Sequence, residues 1–324
     1  MSQYKMVSII MPSYNKAAHI QESIDSIKKQ THKNWELLII DDCSTDNSVQ
    51  IINENLGGAF QIRLNVNENN KGANYCRNKG IKLAKGDYLL FMDADDLLSA
   101  SCLERRLFTF ENKNLDFAVF TMQVFNQVPG DDQRCWKPNS KHVLRDFLAH
   151  DLPWQTMQPL WKRDFVISTE GFDENFERMQ DVDFHTNVLL KEPKYQMFVG
   201  VPDCYYRIDE KRKNFSAFKF LEKWVNSTLV YLEKYRLSIK DGSYYGYLSG
   251  TLYQTYVHLL YERKMNKISE VEFLLLETKL FSSKVFGMNL INKLLFRLTR
   301  IYNLKNYKLV GINLLLKKLI IKLT

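Results

Sequence analysis

From the start of the chain to about residue 120, short aliphatic and β-branched runs alternate with stretches whose apolar positions recur every three or four residues. Positions 7–11, 36–40, 61–66, 87–91 and 117–122 read as strands. Between them, 17–30 and 72–84 carry helical spacing, and Asp46 or Asn47 before Val49, Ile51 and Ile52 reads as a capped helix start. Strand and helix in this rhythm predict an α/β fold with a mostly parallel sheet covered by helices. Residues 123–214 are less regular, with an acidic turn leading into a helix within 171–190. Beyond 215 the pattern is all helical, at 221–235, 244–263, 268–281, 289–302 and 309–323. We therefore expect two domains, 1–212 and 213–324.

The chain has 324 residues, enough for a large α/β core and an appendage. Its 45% apolar and 25% charged residues are ordinary for a globular protein. The net charge of +8 is suggestive of nucleic acid or membrane until it is located. After Glu277 there is no acid but ten basic residues: Lys279, Lys284, Lys293, Arg297, Arg300, Lys305, Lys308, Lys317, Lys318 and Lys322. Without them 35 basic residues face 37 acidic ones, so the basic character belongs to the tail and a nucleic-acid partner is not expected. Five scattered cysteines with no C-x-x-C pair argue against a disulfide framework or structural zinc and for a reducing, cytoplasmic setting. The apolar run at 6–11 lacks the length and cleavage site of a signal peptide, and no run reaches the roughly 18 apolar residues of a membrane span.

In parallel sheets ligands bind beyond the carboxyl ends of the strands. The residues there are Pro12-Ser13-Tyr14-Asn15, Asp41-Asp42-Cys43-Ser44, 67–72 and Asp93-Ala94-Asp95-Asp96. In the last, a buried strand stops at three carboxylates within four positions, a spacing that repels unless a cation is present. A hard divalent ion held by one or two carboxylates and substrate phosphates resolves that repulsion and stabilises a diphosphate leaving group. The alternative is acid at the N-terminus of the helix expected at 99–111. Asp41-Asp42 likewise reads by itself as an ordinary helix cap, and Arg77 as a residue on a solvated helix face.

Taken in order, these pieces resemble the family 2 glycosyltransferases, of GT-A fold. The resemblance rests on Val7-Ser-Ile-Ile-Met-Pro12-Ser-Tyr14-Asn15, Ser26 to Thr31, Asp41-Asp42-x-Ser44-Thr45-Asp46, Asn70-Lys-Gly72 with Arg77-Asn78-x-Gly80, Gly86-Asp87-Tyr88, Asp93-x-Asp95-Asp96, and Gly171-Phe172-Asp173-Glu174 followed by Gln180-Asp181. It covers roughly residues 6–207. It implies inverting transfer of a hexose or N-acetylhexosamine from a nucleotide diphosphate donor, UDP by resemblance, to a glycan or lipid-linked hydroxyl in surface-polysaccharide synthesis. Pro12, Tyr14, Asn15, Asp42 and Arg77 would hold the nucleotide. Asp93, Asp95 and Asp96 would share the ribose and an Mn²⁺ or Mg²⁺ ion, with Asp95 and Asp96 at the metal. Asp181 would be the base, removing the acceptor's proton. Where the family has Glu-Asp before this helix the chain has Gln180-Asp181, which puts the usual glutamate's acceptor contact in doubt. Asp181 also reads as a simple helix cap. Trp154, preceded by Pro153, is placed where an exposed indole would stack on an acceptor sugar, although tryptophans are more often core residues.

Two other classes fit less well. An aspartyl-phosphate phosphatase places its Asp-x-Asp near the N-terminus, not after the fourth strand, and a carbohydrate-binding relic of the fold has no need of the acids and Asp181. A processive synthase would add membrane spans and Gln-x-x-Arg-Trp, whereas Gln133-Arg134-Cys135-Trp136 has the wrong spacing. In the tail, Leu290, Ile291, Leu294, Leu295, Leu298 and Ile301 form one helical stripe and Ile312, Leu315, Leu316, Leu319, Ile320 and Leu323 another, with basic residues opposite or flanking. Such helices suit an anionic inner-membrane surface; the other expectation is packing on the catalytic domain or pairing of two protomers in a homo-oligomer.

Overall fold

The structure is a computed structural model that describes residues 5–57, 61–111, 113–208, 216–239, 242–282, 290–304 and 311–324. Its strands are β1 Val7–Ser13, β2 Trp35–Asp41, β3 Gln61–Val66, β4 Tyr88–Phe91, β5 Leu97–Leu98, β6 Phe117–Phe120, β7 Met122–Phe125, β8 Cys135–Trp136, β9 Pro159–Lys162, β10 Tyr195–Phe198 and β11 Cys204–Arg207. Its helices are α1 Ile20–Lys28, α2 Ser48–Glu54, α3 Ala73–Leu83, α4 Cys102–Phe108, α5 Val143–Leu148, α6 Arg163–Ser168, α7 Gln180–Leu189, α8 Ala217–Ser238, α9 Tyr245–Lys264, α10 Glu270–Ser282, α11 Leu290–Leu304 and α12 Ile312–Leu323.

The chain forms two compact units. One comprises Met1–Lys141, Pro153–Glu174 and Asn187–Lys211; the other comprises His142–Leu152, Asn175–Thr186 and Arg212–Thr324. The boundary expected at 212/213 lies outside the described residues, and two short segments before it, 142–152 and 175–186, belong to the helical unit.

The first unit is built on a seven-stranded sheet of order β10-β6-β9-β4-β1-β2-β3. All its pairings are parallel except those of β9, which runs antiparallel to both β4 and β6. Every residue of β2 and nearly every residue of β1 is buried, as a sheet covered on both faces requires. The glycine at position 80 lets α3 lie against β1, since a Cβ there would come within 2.3 Å of the Ile10 side chain. The strand expected at 117–122 breaks at Thr121: β6 stays in the large sheet, while β7 enters a second sheet of order β5-β11-β7-β8. There the buried Arg106 guanidinium meets Asp203 at 2.6 and 3.0 Å and donates to the Met157 carbonyl, tying α4 to the segment before β11.

In the second unit, α9 is the central helix, with the great majority of its residues buried or partly buried; α5, α8, α10, α11 and α12 pack on it. Thr228 and Thr255 share a hydrogen bond of 2.8 Å between α8 and α9. The helices expected in the tail form, although the expected first residues 289 and 309, Lys284, Lys305, Lys308 and the Leu290 side chain lie outside the described residues. All five cysteines are free thiols.

Candidate functional site

The carboxyl ends of β1, β2 and β4 and the loops that follow them bring most of the predicted residues of the first unit together. Pro12 and Ser13 close β1; beyond them Tyr14 is about half exposed, and Asn15 adopts a left-handed φ of 52°. That turn is held from β2, because the Asn15 N–H donates to Ser44 Oγ at 2.9 Å and Asn15 Oδ1 accepts from the Thr45 N–H at 2.8 Å. Asp41, fully buried, accepts from the N–H and hydroxyl of Ser44 and so fixes the residue that fixes Asn15.

Asp42 does something different from capping a helix. Its buried carboxylate accepts the Gly72 N–H at 2.7 Å, the Lys71 N–H at 2.9 Å and Asn67 Nδ2 at 2.9 Å, so it anchors the loop between β3 and α3. The φ of 89° at position 72 turns that N–H toward Asp42 and suits glycine. A carboxylate has about four acceptor positions, and the Cys76 thiol, which also hydrogen-bonds to Asp42, takes up the fourth. Asn67 also donates to the Cys76 thiol, whose pKa burial and the nearby Asp42 charge push up to about 12, so that thiol stays protonated.

The acidic motif forms a tight turn after β4, with the Asp96 N–H donating to the Asp93 carbonyl. Its three carboxylates have different surroundings. Asp93 is half exposed and receives Arg77 Nη2 at 2.8 Å; the rest of that guanidinium is buried over the Phe172 ring. Asp95 is partly exposed and carries the ammonium of Lys16, from the loop after β1. Asp96 is 2% exposed and accepts the Arg207 N–H at 2.9 Å from β11. Burial, then the charges of Asp95 and Asp93, push the Asp96 carboxyl well above the usual range. Arg207 also donates to the Asp95 carbonyl and pairs with Glu22, so it clamps the turn from behind.

The sequence reading missed Lys16 and Arg207. Lys16 directly follows the Pro-x-Tyr-Asn stretch and could have been suspected as a counter-charge; nothing local marks Arg207, which reaches the turn only because β11 pairs with β5.

No group of three or more His, Cys, Asp or Glu residues that could hold a metal ion occurs among the described residues. The donors that do fit a hard divalent ion are the accessible carboxylates of Asp93 and Asp95, on which cationic side chains already sit. They are suited to an ion completed by phosphate oxygens, not to a cage made by protein alone. Asp96, expected at the metal, is buried, with one carboxylate oxygen accepting the Arg207 N–H of β11.

From α3, Asn78 donates to the Phe172 carbonyl and the Glu174 carboxylate and accepts the Phe172 N–H, while Asn74 donates to the Asp173 carbonyl. The Gly171-Phe-Asp-Glu stretch is therefore fastened to the same helix that supplies Arg77. In the helical unit, Gln180 opens α7 and donates to the Glu177 carbonyl, and Asp181 follows, half-buried in the first helical turn. Asp183, two residues on, is buried and accepts from Lys234 and Tyr235. Trp154 is fully buried among Phe117 and Tyr195, at ring distances of 6.0 and 5.9 Å. An indole closed off from solvent presents no face to a sugar, so the acceptor platform expected at Trp154 is instead a core residue.

Residues 8–168 match the family Glycosyl transferase family 2. An uncharacterized glycosyltransferase of Haemophilus influenzae is 30% identical over 216 residues, 65% of this chain and 71% of that one. The Escherichia coli UDP-Glc:alpha-D-GlcNAc-diphosphoundecaprenol beta-1,3-glucosyltransferase WfgD is 40% identical over 121 residues, which span 37% of this chain and less than half, 47%, of that protein. Among solved structures, S. aureus TarS 1-349 in complex with UDP-GlcNAc has the same fold at a TM-score of 0.66 and 18% identity, covering 94% of this chain and 89% of that one. With its ordered motifs converging at the ends of the GT-A sheet, the chain belongs to glycosyltransferase family 2.

Proposed function

We propose that the chain transfers a hexose or N-acetylhexosamine from a UDP-sugar to a hydroxyl of a glycan or lipid-linked acceptor, with inversion at the anomeric carbon. The observation that carries this reading is the pair of accessible carboxylates, Asp93 and Asp95, set on one tight turn, each facing a cationic side chain, beside the loop anchored by Asp42. Tyr14, half exposed past β1, offers a ring on which a flat base can stack, and Asp42 could accept the imide N–H in exchange for the Cys76 thiol it now holds. Arg77 orients Asp93 through their ion pair, and Lys16 offers a positive charge that can move from Asp95 to a phosphate. A bound Mn²⁺ or Mg²⁺ would neutralise the diphosphate as it leaves.

In the transfer, the acceptor oxygen forms a bond to the anomeric carbon as the bond from that carbon to the diphosphate breaks. The electron pair leaves on UDP, and the hydroxyl proton passes to the Asp181 carboxylate. A UDP-sugar donor and a lipid-linked acceptor are supported by what the WfgD description names, and a UDP-sugar again by the TarS complex.

The test is transfer or slow hydrolysis from a panel of nucleotide sugars, with and without a chelator. UDP-sugars should be consumed, EDTA should abolish the activity, and Mn²⁺ or Mg²⁺ should restore it. Undiminished turnover in excess EDTA would overturn the metal assignment, and consumption of other nucleotide sugars in preference to UDP-sugars would overturn the donor class.

A further inference from the structure

The helices α11 and α12 form an antiparallel pair. Asn303 and Asn313 exchange side-chain hydrogen bonds of 3.1 Å at one end, and Asn292 donates to Thr324 at 2.7 Å at the other. Both helices sit on α9. Phe296 packs on the Tyr253 and Tyr256 rings, and α12 comes so close that a Cβ at position 246 would meet the Ile321 carbonyl oxygen at 2.2 Å. At 3.6 residues per turn, the residues turned away from α9 are Ile291, Leu294, Arg297, Leu298 and Ile301 on α11, and Leu315, Lys318, Leu319 and Lys322 on α12. The aliphatic ones remain 36–57% exposed, although leucine and isoleucine on a helix packed in its own unit would ordinarily turn inward.

The charges on this hairpin are of one sign. Neither helix contains an acid. Two of its basic residues already have partners, Arg300 on Glu277 and Lys317, buried, on Asp151. Lys293, Arg297, Lys318 and Lys322 pair with no acid among the described residues. Aliphatic side chains and unpaired cations thus share the outward face of both helices. A second copy of the same face would bring like charges together, whereas an anionic lipid surface takes the aliphatic groups between its headgroups and the cations against its phosphates. No described helix is long and apolar enough to cross a bilayer, so the contact is with the surface.

We propose that the outward face of the α11–α12 hairpin docks the protein on an anionic lipid bilayer. This rests on the hairpin alone and does not depend on the donor, the metal or the acceptor.

The experiment is flotation of the full chain with vesicles of phosphatidylcholine containing phosphatidylglycerol, and with phosphatidylcholine alone, at low and high salt. The anionic vesicles should carry the protein at low salt, and high salt or neutral lipid should weaken binding. A variant with Lys293→Gln, Arg297→Gln, Lys318→Gln and Lys322→Gln, all unpaired positions, should lose at least tenfold in partition, because each basic residue near the surface adds about fivefold. A second variant, Leu294→Ser with Leu298→Ser and Leu319→Ser, should lose binding while keeping its melting temperature and its donor consumption. Failure of the folded full chain to float at low salt would overturn the proposal, as would binding that neither variant changes. A dimer abolished by the leucine variant, without flotation, would assign the face to a second copy instead.

Discussion

Replacing Asp42 by alanine removes one carboxylate that serves three N–H donors and the Cys76 thiol, and the structure allows the consequence to be sized. Lys71 and Gly72 lie in an exposed loop, so water can take over part of what their N–H groups lose; Asn67 is buried and cannot be rehydrated in place. A hydrogen bond to a charged group contributes about 1.5–3 kcal/mol, and a donor left buried without an acceptor costs about 1–3 kcal/mol. Counting Asn67 in full and the two backbone donors at a fraction gives a destabilisation of roughly 2–4 kcal/mol. For a unit of this size that lowers the melting temperature by about 4–16 °C. Asp42→Asn separates shape from charge. Its oxygen can keep Asn67 and Lys71, but its NH₂ then faces the Gly72 N–H, a clash of donors, so it should lose about half as much. Thermal melting by circular dichroism measures the stability, and titration calorimetry with UDP, well below both melting temperatures, measures the nucleotide site. Both variants should bind UDP more weakly, because the same carboxylate anchors the loop and, on the proposed reading, accepts the imide N–H of the base. Unchanged melting in Asp42→Ala would refute the anchoring argument; unchanged UDP affinity in a variant whose loop has melted would remove Asp42 from the nucleotide site.

Asp181→Asn keeps the size and hydrogen-bonding capacity of the side chain but cannot accept a proton, so it should fold and bind UDP normally while kcat falls about 10²- to 10⁴-fold. A variant that melts early but turns over normally would return Asp181 to a helix cap. In the helical unit, burial and then the charges of Lys317 and His258 lower the His150 pKa to about 4. The folded state therefore favours the neutral ring. Its contribution is whole above the unfolded value of 6.5 and is lost as pH falls from there toward 4, about 2 kcal/mol of it between pH 7 and 5. Urea unfolding at the two pH values should show this loss, and His150→Phe, which keeps a ring against Trp224, should reduce the difference; an equal pH dependence in the variant would show that His150 does not titrate as its burial requires.

The alternation of apolar runs and helical spacing was enough to place β1, β2, β3 and β4 and the helices around them, because periodicity is local and each element's own residues carry it. The acids at strand ends were equally legible: a strand that must be buried stops where charge begins, and in a parallel sheet those stops share one edge. The order of the motifs disclosed the family for the same reason. What side chains at those positions do was decided by residues far away in the chain. Three aspartates within four positions look alike in sequence, yet Arg77 comes to Asp93, Lys16 to Asp95, and the backbone of Arg207, 111 residues on, to Asp96. Trp154 leaves both a core residue and an exposed platform open in the sequence, the core being the commoner case, until Phe117 and Tyr195 are seen to enclose it. The strand expected at 117–122 could not announce its break at Thr121, because both halves are apolar and only the pairing of β6 with β9 and of β7 with β11 sends them to different sheets. Spacing along the chain specifies which residues form an element and which face is apolar; the depth and charge of each surrounding come from long-range neighbours, and those only the folded chain brings into contact.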